Sequence, residues 1–295
     1  MKQLAIIGPT GSGKSDLAIK IAQQMNAYIL SIDSLSIYKE IDIVSAKPSI
    51  EELSKVKHFG INVLDPDTYF SVDIFINLYK ETLQTCKKQH KNLLIVGGTS
   101  FYLKSLMQGL SPLPTITTEI SKLVQNKLKD LDTCYKKLLL LDPQYMKRID
   151  SNDSYRIEKA MLIYEASSQT PSEWFTNHPP VPIIKDIKIF NIEVGRDLLR
   201  ERIYKRTHVM FQMGIIDEVC ILEKKYSRLP HAMNSIGIVE VLEYLDGKIT
   251  QEQMLENISI HTAQLAKRQQ TFNKTQFKSV VSANLQELQK IILDS

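Results

Sequence analysis

The chain has 295 residues, of which 43% are apolar and 24% charged, with a formal net charge of +4. That length holds one large α/β domain or two smaller ones, and the composition excludes a disordered or fibrous chain. The mild positive charge admits a nucleic-acid partner without requiring one, and no apolar run approaches the roughly 20 residues that cross a bilayer.

Residues 4–7 are a short apolar run that reads as a buried strand. Because this strand opens the chain, no signal peptide is expected and the protein reads as cytoplasmic. The strand leads into Gly8-Pro9-Thr10-Gly11-Ser12-Gly13-Lys14-Ser15, a complete G-x-x-x-x-G-K-S phosphate loop, and then into a helical pattern over residues 16–25. This context gives the motif its meaning. The glycines let backbone N–H groups turn toward an anion, and the helix N-terminus adds a favourable dipole. Lys14 can reach a terminal phosphate and the Ser15 hydroxyl can ligate Mg²⁺. A di- or triphosphate ligand is expected; what hangs on the phosphates stays open.

A second strand, residues 28–32, ends at Asp33-Ser34. A carboxylate at that edge of such a sheet orders Mg²⁺, faces a second substrate as general base, or caps the turn that follows. A helical pattern over 72–89 precedes a third strand at 93–96 and the turn Gly97-Gly98-Thr99, where Thr99 donates to a substrate or caps the next helix. Ser111-Pro112-Leu113-Pro114 and Pro179-Pro180-Val181-Pro182 then bracket a long helical stretch. Residues 111–182 therefore read as a helical insertion into a core formed by 1–110 and 183–295. Within it, Tyr155, Arg156 and Lys159 put bases and an aromatic on one helix start, which suits RNA or a plain surface helix.

A fourth strand is expected at 187–194, and the chain reads as helical from there almost to its end. Residues 196–213 carry Arg202 and Arg206 on one helical face, aimed at a phosphate or at solvent. The pattern over 251–270 ends in Lys267-Arg268-Gln269-Gln270, with Phe272 beyond, again basic and aromatic. The alternation of strands and helices predicts an α/β fold with a parallel sheet and ligands at the carboxyl ends of its strands. Cys86, Cys134 and Cys220 are too few and too scattered for a disulfide framework or zinc site and read as reduced, buried thiols. The six histidines show no ligand spacing and read as structural or surface residues.

Several of these segments together resemble the bacterial tRNA dimethylallyltransferases, or isopentenyl-tRNA transferases. They are the phosphate loop, Ser31-Ile32-Asp33-Ser34-Leu35-Ser36-Ile37-Tyr38, Asp42-Ile43-Val44-Ser45-Ala46-Lys47-Pro48, and Leu64-Asp65-Pro66 with Tyr69 and Ser71-Val72. Val96-Gly97-Gly98-Thr99-Ser100-Phe101-Tyr102, Ser235-Ile236-Gly237 and Ala266-Lys267-Arg268-Gln269 continue the match in order over nearly the whole chain. The chain departs from the family pattern at Val44-Ser45, Ser100, Lys159, Ile238-Val239 and Phe272.

The resemblance implies a P-loop NTPase-like core, its parallel sheet flanked by helices, with an inserted, mostly helical tRNA-binding domain. It implies transfer of a dimethylallyl group from dimethylallyl diphosphate to N6 of the adenosine 3′ of the anticodon, in tRNAs reading codons that begin with U. The phosphate loop would hold diphosphate, with Mg²⁺ at Ser15. Arg206 would contact the diphosphate, Asp33 would be the general base, and Thr99 would lie close to the adenine. Contacts to the anticodon stem-loop would fall on Asp33, Ser34, Leu35, Ser36, Thr99, Ser121, Tyr155, Arg156, Lys159, Lys267 and Arg268. The enzyme would be a cytoplasmic monomer with no membrane partner. The residues by themselves also admit a small-molecule or nucleotide kinase, with ATP on the loop and Asp33 activating a hydroxyl, and an RNA-binding NTPase-like switch.

Overall fold

A computed structural model describes residues 1–294. They fall into two compact units, Met1–Ser105 with the chain from Lys185 onward, and Leu106–Ile184. The first unit opens with β1 (Gln3–Ile7), α1 (Lys14–Gln24), β2 (Ala27–Ser31), α2 (Ile50–Lys55), β3 (His58–Phe59) and α3 (Val72–Lys88). It continues through β4 (Asn92–Gly97) and α4 (Ser100–Gln108), in whose last turn the second unit begins. That unit holds α5 (Thr118–Lys127), α6 (Leu131–Leu141), α7 (Pro143–Met146), α8 (Ser154–Ser167) and α9 (Pro171–Asn177). The first unit resumes with β5 (Lys188–Ile192), α10 (Arg196–Gln212), α11 (Ile215–Tyr226) and a 3₁₀ turn (His231–Asn234). It ends with α12 (Ile238–Leu245), α13 (Gln251–Gln276), β6 (Val280–Ala283) and α14 (Leu285–Leu293).

The six strands form one sheet in the order β3-β2-β4-β1-β5-β6, and every pairing is parallel. The reason lies in the central strands. Leu4 to Ile7 and Leu93 to Val96 are all buried, so neither face tolerates water and helices must cover both. On one face Leu4, Ile6, Leu94, Val96 and Phe190 pack with Leu17 and Ile21 of α1 and Leu288 and Ile292 of α14. From β1 the chain crosses over β4 to reach β2, and β5 later adds on the other side of β1. The crevice between the carboxyl ends of β1 and β4 is therefore the switch point where an open parallel sheet binds ligands.

The structure corrects the sequence reading at the chain end. β6 lies within a stretch expected to be helical; its four residues pair only with β5 and are half-buried or exposed, so no period-two alternation marks them. The fourth expected strand is five residues long, and α13 runs on to Gln276. Cys86 and Cys134 are buried as expected, whereas Cys220 is exposed.

A second cluster of the first unit joins Ile37, Tyr38, Ile41 and Val44 to Ile215 and Val219 of α11 and Met254 and Ile258 of α13. One polar contact pins this loop. The Glu218 carboxylate accepts the backbone N–H groups of Asp42, Ile43 and Val44 at 2.9, 2.7 and 3.0 Å.

The second unit packs α5, α6 and α8 around Val124, Cys134, Leu138, Ile157 and Met161. Buried Asp142 caps α7 through the Tyr145 N–H and also accepts from the backbone and hydroxyl of Ser172 in α9. The unit's two ends are tied: the Leu106 carbonyl accepts from Ile183 and Ile184 at 2.9 and 3.0 Å, and the Pro112 carbonyl from the Trp174 indole. Among the described residues no helix is long and apolar enough to cross a membrane.

Replacing Glu218 by Ala strands three amides of the 42–44 loop, those of Ile43 and Val44 partly buried and that of Asp42 exposed. Urea unfolding should register a loss of about 2 kcal/mol; a loss below about 0.5 kcal/mol, the level of an ordinary surface substitution, would mean that apolar contacts and the Lys47 bonds to Tyr38, Asp42 and Asn62 hold the loop without Glu218.

Candidate active site

The turn after β1 demands glycine at Gly13. Its φ of +86° is left-handed, and a β-carbon there would stand 2.7 Å from the Leu285 side chain. Gly13 is also the N-cap of α1 and supplies no side-chain hydrogen bond, so the first-turn N–H groups open onto the loop. Lys14 folds back across it: Nζ donates to the Pro9 carbonyl at 2.7 Å and lies 3.5 Å from the Ser12 Oγ. Burial brings the Lys14 ammonium down from 10.5 to about 7; the Asp33 carboxylate opposes that shift and the Arg206 guanidinium adds to it.

α10 crosses the loop with the pair legible from its spacing. Arg206 Nη2 donates to Thr10 Oγ1 at 2.8 Å, and Arg202 Nη1 to the Ser12 carbonyl at 3.4 Å. Burial lowers the Arg206 pKa as well, yet a guanidinium stays charged. Arginine and lysine so close, with Asp33 the carboxylate that acts on both, leave the loop short of negative charge.

Asp33, just past the end of β2, performs one of the tasks the sequence left open, capping the turn that follows, and also borders the cavity at the phosphate loop. Its Oδ1 accepts the N–H groups of Leu35 and Ser36 at 2.9 and 3.1 Å, which turns the chain. Its Oδ2 has no hydrogen-bond partner among the described residues, and the side chain lines the same cavity as the loop. Thr99, past the end of neighbouring β4, donates to the Ser34 Oγ at 3.4 Å. Next to it Ser100 buries a hydroxyl with no partner among the described residues.

The cavity measures about 350 Å³. Thr10 to Ser15, Asp16, Asp33 and Ser36 line it with Arg202 and Arg206, and Pro48, His58 and Ile61 also border it. Gly8, Pro9, Ser34, Leu35 and Thr99 are not among its lining residues. His58 carried no signal in the sequence. Its Nδ1 faces the Val56 carbonyl at 2.8 Å, and burial lowers its pKa, which keeps the ring neutral at pH 7. Gln269, which the sequence marked only as the end of a matching segment, carried no role of its own there. Its Oε1 accepts the Thr10 N–H at 2.8 Å.

Ser15 Oγ and the Asp16 carboxylate stand at the helix start on the cavity wall. Among the described residues no three His, Cys, Asp or Glu side chains gather into a metal cage. One hydroxyl with a nearby carboxylate suits Mg²⁺, which keeps several waters and leans on phosphate oxygens.

The remaining expected contacts lie elsewhere. Lys267 and Arg268 are exposed on α13 and, with half-buried Phe272, line a shallow hollow of about 510 Å³. Ser121 on α5 and Tyr155, Arg156 and Lys159 on α8 belong to the second unit. There Lys159 sits 5.3 Å over the exposed Tyr155 ring, and Arg156 pairs with Asp153 at 2.7 Å.

Comparison with known proteins gives a consistent result. Residues 36–276 match the family model described as IPP transferase. The tRNA dimethylallyltransferase of Sulfurimonas denitrificans is 68% identical over 295 residues, covering 100% of this chain and 99% of its own. That of a Sulfurovum species is 52% identical, covering 99% and 98%. Among solved structures, the tRNA isopentenylpyrophosphate transferase of Bacillus halodurans superposes with a TM-score of 0.73 at 25% identity, covering 99% of this chain and 94% of its own. A eukaryotic dimethylallyltransferase acting on tRNA superposes with a TM-score of 0.85 at 24% identity, covering 97% and 74%. The fold is P-loop NTPase-like.

Lys14 near neutrality without an anion, and charged beside one, makes pyrophosphate binding proton-linked. Calorimetric titration at pH 8, in buffers of different ionisation enthalpy, should show about one more proton taken up by the wild type than by Lys14→Ala. Equal uptake would mean that Lys14 is charged throughout. The same depression makes the anion-free protein gain stability as pH rises from about 7 toward 10.5, where the unfolded chain alone holds the extra proton.

Proposed function

The chain belongs to the IPP transferase family, and from that premise we propose that it transfers a dimethylallyl group from dimethylallyl diphosphate to a tRNA. The acceptor is N6 of the adenosine 3′ of the anticodon in tRNAs that read codons beginning with U. The observation that carries this reading is the shared cavity, in which the cationic phosphate loop faces a strand-end carboxylate.

In the reaction the C1–O bond of the allylic diphosphate breaks, and the electron pair leaves with the diphosphate. A bond forms between N6 and C1, and N6 gives up a proton. The barrier is the charge on the leaving group. Lys14, Arg206 and the N–H groups at the start of α1 are suited to offset it, fixed in place before the bond breaks. Bound Mg²⁺, held by Ser15 among phosphate oxygens and water, would add positive charge there.

Asp33 is too weak a base to deprotonate a neutral aryl amine, because an ordinary aspartate has a pKa near 4. Its Oδ1 is already held by two backbone N–H groups. Oδ2 can accept a hydrogen bond from the amine, orient it, and take the proton once C–N bond formation has made the nitrogen acidic. An adenine reaches such a site by leaving its stack. Ser34 and Thr99, hydrogen-bonded to each other just past the ends of β2 and β4, are assigned to contact the adenine. The exposed bases and aromatics at Lys267, Arg268 and Phe272, and at Tyr155, Arg156 and Lys159, suit backbone contact and stacking with a stem-loop. The protein is taken to act as a monomer in the cytoplasm.

The direct test mixes the protein with dimethylallyl diphosphate, Mg²⁺ and an anticodon stem-loop RNA, and weighs the RNA by mass spectrometry. A gain of one dimethylallyl group is expected, lost when the target adenosine is another base. No gain, with ATP consumed when a small hydroxyl compound is added, would replace this reading by a kinase. Asp33→Ala should retain RNA affinity while transfer falls by about 10²-fold or more; near-normal transfer would remove Asp33 from the proton's path. Arg206→Ala should act on the diphosphate substrate, and a variant that weakened only RNA binding would misassign α10.

A further inference from the structure

Thr10 is held at both of its polar ends. Its hydroxyl receives Arg206 at 2.8 Å, and its backbone N–H is given to Gln269 Oε1, also at 2.8 Å. Gln269 comes from α13, far along the chain, and enters the crevice between the ends of β1 and β4. On the β4 side its amide lies directly against Gly98, so that a β-carbon at position 98 would collide with it. One half-buried amide thus bridges the phosphate loop and the Gly97-Gly98-Thr99 turn at the switch point of the sheet.

Phosphate-loop amides ordinarily point at the anion. Here one of them is spent on a side chain, which leaves its hydroxyl as the anchor of an arginine. We infer that Gln269 is a positioning residue: it fixes Thr10, and through Thr10 it fixes where the Arg206 guanidinium stands relative to the diphosphate. This rests on the transferase reading of the same site. Gln269 directly follows Lys267-Arg268, the basic segment on the exposed face of α13. The helix offered to RNA is therefore hydrogen-bonded to the loop offered to diphosphate.

The test uses the full chain and magnesium pyrophosphate as probe. Gln269→Met keeps the length of the side chain and removes the strong acceptor. Titration calorimetry should show pyrophosphate affinity falling by about three- to tenfold, the worth of a neutral hydrogen bond. Dimethylallyl diphosphate kcat/KM should fall by at least the same factor, with part of the loss in kcat because Arg206 faces the leaving group, while stem-loop affinity stays within about twofold. In an Arg206→Ala background the Gln269→Met change should add nothing further to the pyrophosphate loss. Gly98→Ala, which pushes the amide off Thr10 from the other side, should reproduce the pyrophosphate effect, so the inference survives a failure of Gln269→Met to fold. Unchanged pyrophosphate affinity in these variants overturns it. So does an equal loss with and without Arg206, or a parallel loss of RNA and pyrophosphate binding, which would mark a packing role. A wild type that binds pyrophosphate but never alkylates the stem-loop sinks the transferase reading instead, while the pyrophosphate comparison still decides the role of Gln269.

Discussion

Everything at the site depends on a lysine placed where its own charge is unwelcome. Lys14 bonds to the Pro9 carbonyl, and burial brings it to the edge of neutrality at physiological pH. Asp33 alone restrains that drift, while Arg206 drives it on. Such an arrangement is unstable toward losing a proton and stable toward gaining an anion. The turn at Gly13, the uncapped start of α1 and the two arginines of α10 all keep it so. A polyphosphate would relieve the imbalance, and in the proposed reaction the same excess of positive charge favours cleavage of the bond to a diphosphate leaving group.

The fold supplies the second half of the chemistry by adjacency. β1 carries the phosphate loop, β4 the Gly97-Gly98-Thr99 turn and β2 the Asp33 carboxylate, and these strands are neighbours in one parallel sheet. Groups far apart in sequence thus share one edge. Asp33 is placed for both structure and the proposed chemistry. One oxygen turns the chain while the other faces the cavity.

Much of this was legible because the residues involved carry strong local rules. The phosphate loop has a fixed spacing, the central strands are continuous apolar runs, and Arg202 and Arg206 share a helical face through the i, i+4 relation. What stayed hidden has equally physical reasons. β3 has two residues and β6 four at the sheet edges, too short and too solvent-exposed to impose a period. Gln269 looks like its neighbour Gln270, and only the tertiary fold brings one of them to Thr10. His58 matters through a cavity wall formed by distant segments. Motif resemblance linked Asp33 and Thr99 to the acceptor. Spacing alone could not, since Asp33 also satisfies a local turn and a threonine before α4 is equally suited to cap it.

The helical unit closes on itself before the chain returns to the sheet. Leu106 accepts from both Ile183 and Ile184, so the entry and exit of a long excursion lie within hydrogen-bond reach of each other. To the rest of the chain such an excursion behaves as a short loop, whatever its contour length. It can be lengthened, trimmed or rebuilt over evolutionary time without altering the register of β4 or β5. A change of length inside the excursion is absorbed at that junction and does not reach the strands on either side.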